Sequence, residues 1–260
     1  MFYAMAKEKI DLRGYRFEHR LEDIQTLNER AMRGELHISA VSIHAYAFVA
    51  DKYALLPCGA SMGDGYGPLV IRKSGAKNVD LRKCLIAVPG KMTSAFLALK
   101  LYLGDFKNVV VPFDQIFEAV SRGDADAGLI IHEGQLTYTK AGFEKIVDLG
   151  EWWKCETGLP LPLGGNVIRK DIPPDVRHDL LEIMHESIDY GLAHRDEAIA
   201  HSMPYARDMN EHLAGKFIGM YVNDFTRDYG ETGRAAIQRF LGDARDAGYI
   251  DKPAEIEFVE

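Results

Sequence analysis

The chain has 260 residues, 47% of them hydrophobic, and a chain of this length and composition can bury about three quarters of its unfolded surface in a core. Its net charge of −8 leaves no basic stripe for a phosphate backbone, so nucleic acid is not an expected partner. Cys58, Cys84 and Cys155 lack metal-ligand spacing, and no apolar stretch reaches the roughly 20 residues of a membrane span. We therefore expect a globular cytoplasmic protein without a zinc site, a disulfide framework, a signal peptide or a membrane segment.

Apolar runs of strand length alternate with helical patterns, as in proteins that have parallel sheets and helical crossovers. The first part of the chain predicts strands at residues 15–21, 37–41 and 68–72, and helices at 24–32 and 43–53. A second, similar series predicts strands at residues 83–88, 109–112 and 127–131, and helices at 93–103 and 114–122. Two such series indicate two lobes.

The segment 158–169 is rich in proline and glycine but retains an apolar alternation, which predicts an extended crossover back to the first lobe. With residues 68–72 as the outbound crossover, the first lobe comprises residues 1–72 and 168–260, and the second comprises 73–167. Further helices are predicted at 175–193, near 207–220 and at 232–247. Trp152 and Trp153 precede the second crossover, where they either pack in the core or line the cleft.

His132 and Glu133 directly follow the apolar run AGLII, at the predicted carboxyl end of a strand. Ligands of open α/β sheets bind outside the carboxyl ends of strands, and the pKa of histidine lies near neutral pH. His132 is therefore a candidate general base. The alternative is a histidine that caps the strand through a hydrogen bond to a loop carbonyl, and position alone leaves both roles open.

The segment VPGKMTSAF (88–96) joins a predicted strand to a predicted helix, so its amides at residues 92–95 face the crevice at the positive end of that helix. A carboxylate or phosphate would be stabilised there. Alternatively, Thr93 or Ser94 only caps the helix. Ser42 presents the same choice at a strand-to-helix junction of the other lobe.

Two glycine-rich segments resemble nucleotide-binding motifs but lack the glycine spacing that those motifs require. A P-loop ending in Gly90-Lys91 requires a glycine at the position of Leu85. The run GDGYG (63–67) lacks the dinucleotide spacing and leads into a strand where a helix is needed. These glycines are instead predicted to form a tight turn at the crossover and to approach a bound ligand closely. Neither a nucleoside triphosphate nor NAD is expected to bind.

A family resemblance is carried by the segments GASMGDGYGPL, VPGKMTSAF, GLIIHEGQLTY and DLGEWWKCETGLPLPLG, together with YVNDFTRDYGETGRAA near the C-terminus. The combination of HE-x-x-x-TY with the later WW and TGLPLPLG is specific, whereas each piece alone is a weak signal. From about residue 2 onward the sequence resembles the 1,4-dihydroxy-6-naphthoate synthases of the futalosine route to menaquinone.

The resemblance implies an α/β, two-lobed fold of the type II periplasmic-binding-protein kind, with two crossover hinges, working as a cytoplasmic carbon–carbon lyase. The implied substrate is cyclic dehypoxanthinyl futalosine, which is cleaved to 1,4-dihydroxy-6-naphthoate and a three-carbon sugar fragment without a metal or an organic cofactor. The implied site consists of His132 as proton acceptor and of substrate contacts from Ala40, Val41, Ser42, Ser94 and Ala95.

Two other classes of protein stay open at this point: a chorismate dehydratase, which shares the fold, and a small-carboxylate-binding protein without chemistry. The oligomeric state is also open. Members of the family begin with a strand and a loop that this chain lacks, so we expect Met1 to be an internal methionine with about 15 to 20 residues upstream. The alternative is direct pairing of the predicted strands at 15–21 and 37–41.

Overall fold

The computed structural model describes residues 1–76, 80–205, 210–251 and 255–260, and in these ranges two β-sheets are flanked by helices. The strands are β1 (Ile38–Ser42), β2 (Tyr53–Leu55), β3 (Ser61–Gly63), β4 (Leu69–Lys73), β5 (Leu85–Val88), β6 (Lys107–Val110), β7 (Ala127–Ile130), β8 (Phe143–Asp148) and β9 (Leu161–Arg169). The α-helices are α1 (Tyr3–Ala6), α2 (Ile24–Met32), α3 (Ile43–Tyr46), α4 (Ser94–Leu103), α5 (Ile116–Arg122), α6 (Leu149–Thr157), α7 (Pro174–Ala193), α8 (Arg195–Ser202), α9 (Glu211–Tyr221), α10 (Asp224–Arg227) and α11 (Gly230–Asp246).

The first sheet is arranged around β9. Strands β1, β2 and β3 all pair with β9 in the antiparallel direction. In the β1–β9 pairing, Ala40 lies opposite Asn166 and Ser42 lies opposite Gly164. Because side chains alternate between the two faces of a sheet, the residues at these paired positions share one face.

The second sheet has the strand order β6-β5-β7-β4-β8. Strand β5 is parallel to β6 and β7, whereas β4 is antiparallel to β7 and β8. The carboxyl ends of β5 and β7 therefore lie at the same edge of this sheet. That edge carries both the start of α4 and the turn that begins at His132.

Side-chain caps and glycines set the ends of several helices. The carboxylate of Asp23 accepts hydrogen bonds from the first backbone N–H groups of α2, and Asp148 does the same for α6. Helices α5 and α6 end at Gly123 and Gly158, both in the left-handed conformation that glycine adopts without steric cost. The local sequence is thus sufficient to place these helix ends.

One apolar cluster runs through both sheets. It contains Val41 of the first sheet together with Val70 and Ile86 of the second. Trp153 is 1% exposed and packs edge-on against Phe240 of α11, with the ring centroids 5.4 Å apart. The hydrophobic core is therefore continuous between the two sheets.

Most of the predicted elements are confirmed. The helix predicted at 24–32 is α2, the crossover predicted at 158–169 contains β9, and the strand predicted at 127–131 is β7. The start of the helix predicted near 207–220 lies outside the described residues, which omit 206–209. The described part of this helix is α9. The division into lobes stays a prediction; β4 pairs within the second sheet and β9 within the first.

The strand predicted at residues 15–21 is wrong, since these residues form no strand. The alternation has a different cause. Tyr15 and Phe17 pack against the cluster around α7, while the residues between and after them are exposed, and the Tyr15 hydroxyl donates a hydrogen bond to Asp179 at 2.9 Å. An extended surface segment lying on a helix produces the same alternation as an edge strand.

The helix predicted at residues 43–53 is wrong beyond Tyr46. The chain continues in tight turns, in which the N–H groups of Phe48 and Val49 bond to carbonyls three residues earlier. It then enters β2 at Tyr53. Pairing with β9 makes Tyr53, the last residue of the predicted helix, the first residue of a strand.

Candidate active site

A cavity of about 290 Å³ lies between the end of β1 and the middle of β9 on one side and the first turn of α4 on the other. Its wall consists of Met1, Ile24, Ala40, Val41, Ser42, Gly59, Ser61, Pro68, Thr93, Ser94, Ala95, Ile131, Gln135, Leu163, Gly164, Gly165, Asn166, Phe217 and Tyr221. The wall thus includes every substrate contact that the resemblance implies, namely Ala40, Val41, Ser42, Ser94 and Ala95. Residues that are far apart in the sequence are brought together as expected, while their roles remain predictions.

Ser42 is held in place by Asn28 of α2, which is fully buried. The Ser42 N–H donates to Asn28 Oδ1 at 2.8 Å, and Asn28 Nδ2 donates to Ser42 Oγ at 3.0 Å and to the Met92 carbonyl at 3.3 Å. The Ser42 hydroxyl does not cap α3, so that alternative is wrong. Asn28 therefore orients Ser42 toward the cavity and also ties α2 to the loop that precedes α4.

At the start of α4 the cap is Thr93, whose hydroxyl accepts from the Phe96 N–H at 3.1 Å. The Ser94 hydroxyl instead donates to the Leu163 carbonyl of β9 at 2.6 Å and accepts from the His44 N–H at 3.2 Å. Ser94 thus links α4 to the first sheet. The capping alternative is correct for Thr93 and wrong for Ser94.

Fewer of the backbone N–H groups at residues 92–95 are available to a ligand than the sequence predicts. The Met92 N–H donates to Gln25 Oε1 at 3.3 Å, and the Thr93 N–H donates to the Gly90 carbonyl at 3.4 Å. The N–H groups of Ser94 and Ala95 belong to the first turn of α4, where a helix supplies no internal acceptor. Because both residues line the cavity, their amides can hold an anion at the positive end of the helix.

Burial of His44 beside Ser94 makes the stability of the fold depend on pH. Desolvation lowers the pKa of His44 from 6.5 to about 4; Lys100 acts in the same direction, and a hydrogen bond to the Thr93 backbone opposes it. Below pH 6.5 the unfolded chain binds a proton at His44 that the folded protein does not bind. The unfolding free energy therefore decreases as the pH is lowered, and the decrease levels off near pH 4. A shift of this size corresponds to about 3 kcal/mol.

Between neutral pH and pH 4, the unfolding free energy of the unmodified protein should fall by about 3 kcal/mol more than that of His44→Gln. Urea unfolding at several pH values over this interval measures the difference. Parallel stability curves for the two proteins would contradict the prediction.

His132 lies where it was predicted, in the turn that follows β7. Its Nδ1 accepts a hydrogen bond from the Gly134 N–H at 3.0 Å, and its ring meets the rings of Phe113 and Phe117 edge-on at 5.8 and 5.7 Å. The cavity wall contains Ile131 and Gln135 from the same turn but not His132. A neutral imidazole that accepts at Nδ1 carries its proton on Nε2.

Gln135 and Tyr221 form a polar pair in the cavity wall that sequence reasoning missed. The Tyr221 hydroxyl donates to Gln135 Oε1 at 2.6 Å, and Gln135 Nε2 donates to the Ile130 carbonyl at 3.3 Å. Burial raises the pKa of Tyr221 well above its usual value, which keeps the phenol protonated. Since its proton is directed at Gln135, the Tyr221 oxygen can accept a hydrogen bond from a ligand hydroxyl. This pair links the His132 turn to α9.

The two tryptophans pack away from the cavity. The indole N–H of Trp153 donates to the Pro160 carbonyl at 3.1 Å, and Trp152 packs edge-on against Tyr102 with the ring centroids 5.3 Å apart. Neither ring belongs to the cavity wall. Core packing is therefore confirmed for Trp153.

Among the residues that the structure describes, no group of three or more His, Cys, Asp and Glu side chains is arranged to hold a metal ion. No helix within the same ranges has both the length and the apolar character that crossing a membrane requires.

The arrangement of the sheets matches that of solute-binding proteins. The ligand-binding component of an ABC-type import system from Staphylococcus aureus superposes with a TM-score of 0.69 at 12% identity, covering 99% of this chain and 91% of that one. At such low identity the match concerns the fold alone. The predicted α/β fold of the periplasmic-binding-protein kind is confirmed.

The family follows from closer relatives. A family model described as menaquinone biosynthesis matches residues 1–246. A 1,4-dihydroxy-6-naphtoate synthase from Thermus thermophilus is 37% identical over 248 residues, which covers 95% of this chain and 90% of that protein. A crystal structure of an Archaeoglobus fulgidus protein has 45% identity and a TM-score of 0.92, and covers 96% of this chain and 93% of that chain. The chain belongs to the menaquinone biosynthesis family.

Proposed function

We propose that the protein is a 1,4-dihydroxy-6-naphthoate synthase, a carbon–carbon lyase that cleaves cyclic dehypoxanthinyl futalosine in the cytoplasm. The name of the Thermus thermophilus relative supports the activity. The observation that carries the proposal is the convergence of Ala40–Ser42 and Ser94–Ala95 on one cavity, beside the turn that holds His132.

The cavity offers complementary groups at its two sides. The N–H groups of Ser94 and Ala95 at the start of α4 suit the carboxylate of the substrate. The Ser42 hydroxyl and the Tyr221 oxygen suit the hydroxyls of the sugar-derived part. The substrate would then span the cleft between the two predicted lobes, residues 1–72 with 168–260 and residues 73–167, and closure of the lobes would exclude water from the reaction.

The chemical step assigned to His132 is the removal of a hydroxyl proton from the substrate. The alkoxide oxygen then forms a carbonyl on the three-carbon fragment as the adjacent C–C bond breaks in a retro-aldol-type cleavage. The electron pair of that bond passes to the retained ring fragment, which takes up a proton to become 1,4-dihydroxy-6-naphthoate. For this step a ring nitrogen with a free electron pair must face the substrate. Because Nδ1 accepts from the Gly134 N–H, the ring would have to turn or change tautomer when substrate binds.

The activity is tested by incubating the purified protein separately with cyclic dehypoxanthinyl futalosine and with chorismate, and analysing the products by mass spectrometry. We expect consumption of the first compound, with formation of 1,4-dihydroxy-6-naphthoate. Consumption of chorismate would instead identify a dehydratase. Binding of either compound without chemical change would identify a solute-binding protein, and both of these results would contradict the proposal.

A further inference from the structure

The side chain of Asn166 faces the cavity from the central strand of the first sheet. In the register of β1 and β9, Asn166 lies opposite Ala40, and Ser42 lies opposite Gly164 two positions further along. Asn166, Ala40 and Ser42 therefore share one face of the sheet, and all three belong to the cavity wall. Asn166 is thus a near neighbour of Ser42 on this face.

The amide nitrogen of Asn166 is buried without a hydrogen bond. The residue is 1% exposed, and within the described part of the chain its Nδ2 has no acceptor. Buried amide donors are nearly always satisfied, because an unpaired one loses its bonds to water and gains nothing in exchange. A donor in the wall of a cavity can be satisfied by whatever the cavity binds.

The space around this amide depends on Gly59, another residue of the cavity wall. A Cβ atom at position 59 would lie 2.0 Å from Asn166 Nδ2 and 2.8 Å from its Cγ. Gly59 has a φ of +81°, and its N–H donates to the Thr226 carbonyl at 2.7 Å. Glycine at this position thus leaves room for the Asn166 amide to stay beside the cavity.

We propose that Asn166 binds the substrate, with Nδ2 donating a hydrogen bond to a neutral oxygen, a hydroxyl or carbonyl, of its sugar-derived part. This inference rests on the proposed function. The carboxylate of the substrate is assigned to the positive end of α4, whereas Asn166 carries no charge and lies three residues along β9 from Leu163, whose carbonyl accepts the hydrogen bond from Ser94. Asn166 and Ser42 together then recognise the part of the molecule that is cleaved off.

The test compares steady-state kinetics on cyclic dehypoxanthinyl futalosine for the unmodified protein, Asn166→Ala and Asn166→Asp. Both variants remove the donor, and aspartate keeps the shape of the side chain. We expect kcat/KM to fall about 10- to 100-fold in each variant, mainly through KM. Asn108→Ala, on the edge strand β6, is the matched control and should leave KM unchanged.

Gly59→Ala provides an independent check, because its Cβ would displace the Asn166 amide. KM should rise in the unmodified background and should not rise further when Asn166 is already alanine. Thermal melting monitors folding, and if Asn166→Ala fails to fold, the aspartate variant decides. If the unmodified protein turns over the substrate and the folded variants have a KM within twofold of its KM, the assignment of Asn166 is overturned, while the proposed function stands. Absence of turnover by the unmodified protein would overturn the proposed function and this inference with it.

Discussion

Replacing His132 by asparagine is expected to lower kcat by about 10²- to 10⁴-fold while leaving the fold intact. Asparagine places an oxygen near the position of the imidazole Nδ1, so the hydrogen bond from the Gly134 N–H at 3.0 Å can be kept. What the substitution removes is a side chain that can take up a proton near neutral pH. The measurement is kcat at saturating cyclic dehypoxanthinyl futalosine, with the melting temperature recorded alongside.

Two further variants sharpen this test. His132→Gln brings its amide closer to the position of Nε2 but is equally unable to act as a base, so it should be as slow as the asparagine variant. His212→Asn changes an exposed histidine of α9 and should leave kcat unaltered. If His132→Asn keeps more than roughly a tenth of the original turnover, the contribution expected of a general base is missing. His132 would then be only the cap of its turn.

The sequence predicts those parts of the candidate site that depend on local pattern or family motifs. Ser94 and Ala95 follow from the junction of a strand with a helix, and His132 follows from the end of an apolar run. Asn28 and Tyr221 give no such local signal, since each acts through a partner far away in the chain: Ser42 is 14 residues from Asn28, and Gln135 is 86 residues from Tyr221. Contacts of this kind become visible only when the chain is folded.

Elements of the fold that depend on local sequence were predicted, whereas those that depend on contacts with distant residues were not. Helix α2 has an amphipathic pattern with an Asp23 cap, both of which are readable from adjacent residues. Residues 15–21 alternate as a strand does, but no strand among the described residues pairs with them. Tyr53 ends the predicted helix but begins β2, because β9, more than 100 residues later, pairs with residues 53–55. Long-range pairing overrode the local pattern in that case.

The glycines predicted to make a tight turn pack closely against other backbone, while their predicted approach to a ligand stays a prediction. A Cβ atom on Gly63 would lie 2.0 Å from the Tyr66 carbonyl oxygen, which agrees with a tight turn. A Cβ atom on Gly67 would lie 2.8 Å from the backbone nitrogen of Gly150. Gly67 therefore packs closely against the first turn of α6, and this contact fixes the segment before β4 against that helix.

Gly150→Ala is accordingly expected to cost at least about 4 kcal/mol of unfolding free energy, or to prevent folding. The added Cβ would lie 1.9 Å from the Tyr66 carbonyl oxygen and 2.1 Å from its carbon, and backbone atoms cannot turn aside as a side chain can. The crossing is also fixed by the Leu149 N–H, which donates to the Pro68 carbonyl at 2.9 Å. Urea unfolding of the variant measures the loss.

The matched control is Gly65→Ala in the same glycine-rich turn. Gly65 has a φ of +78° with no atom within 4 Å of an added Cβ, so alanine there suffers backbone strain alone, about 1 to 2 kcal/mol. Gly150 lies in helix α6 without a positive φ and does not share this strain, so a larger loss at Gly150 comes from the steric conflict at the crossing. Pro68 lines the cavity, so a folded Gly150→Ala protein should also bind substrate more weakly, whereas Gly65→Ala should not. A loss at Gly150 no larger than that at Gly65 would mean that the two backbone segments separate easily at this crossing.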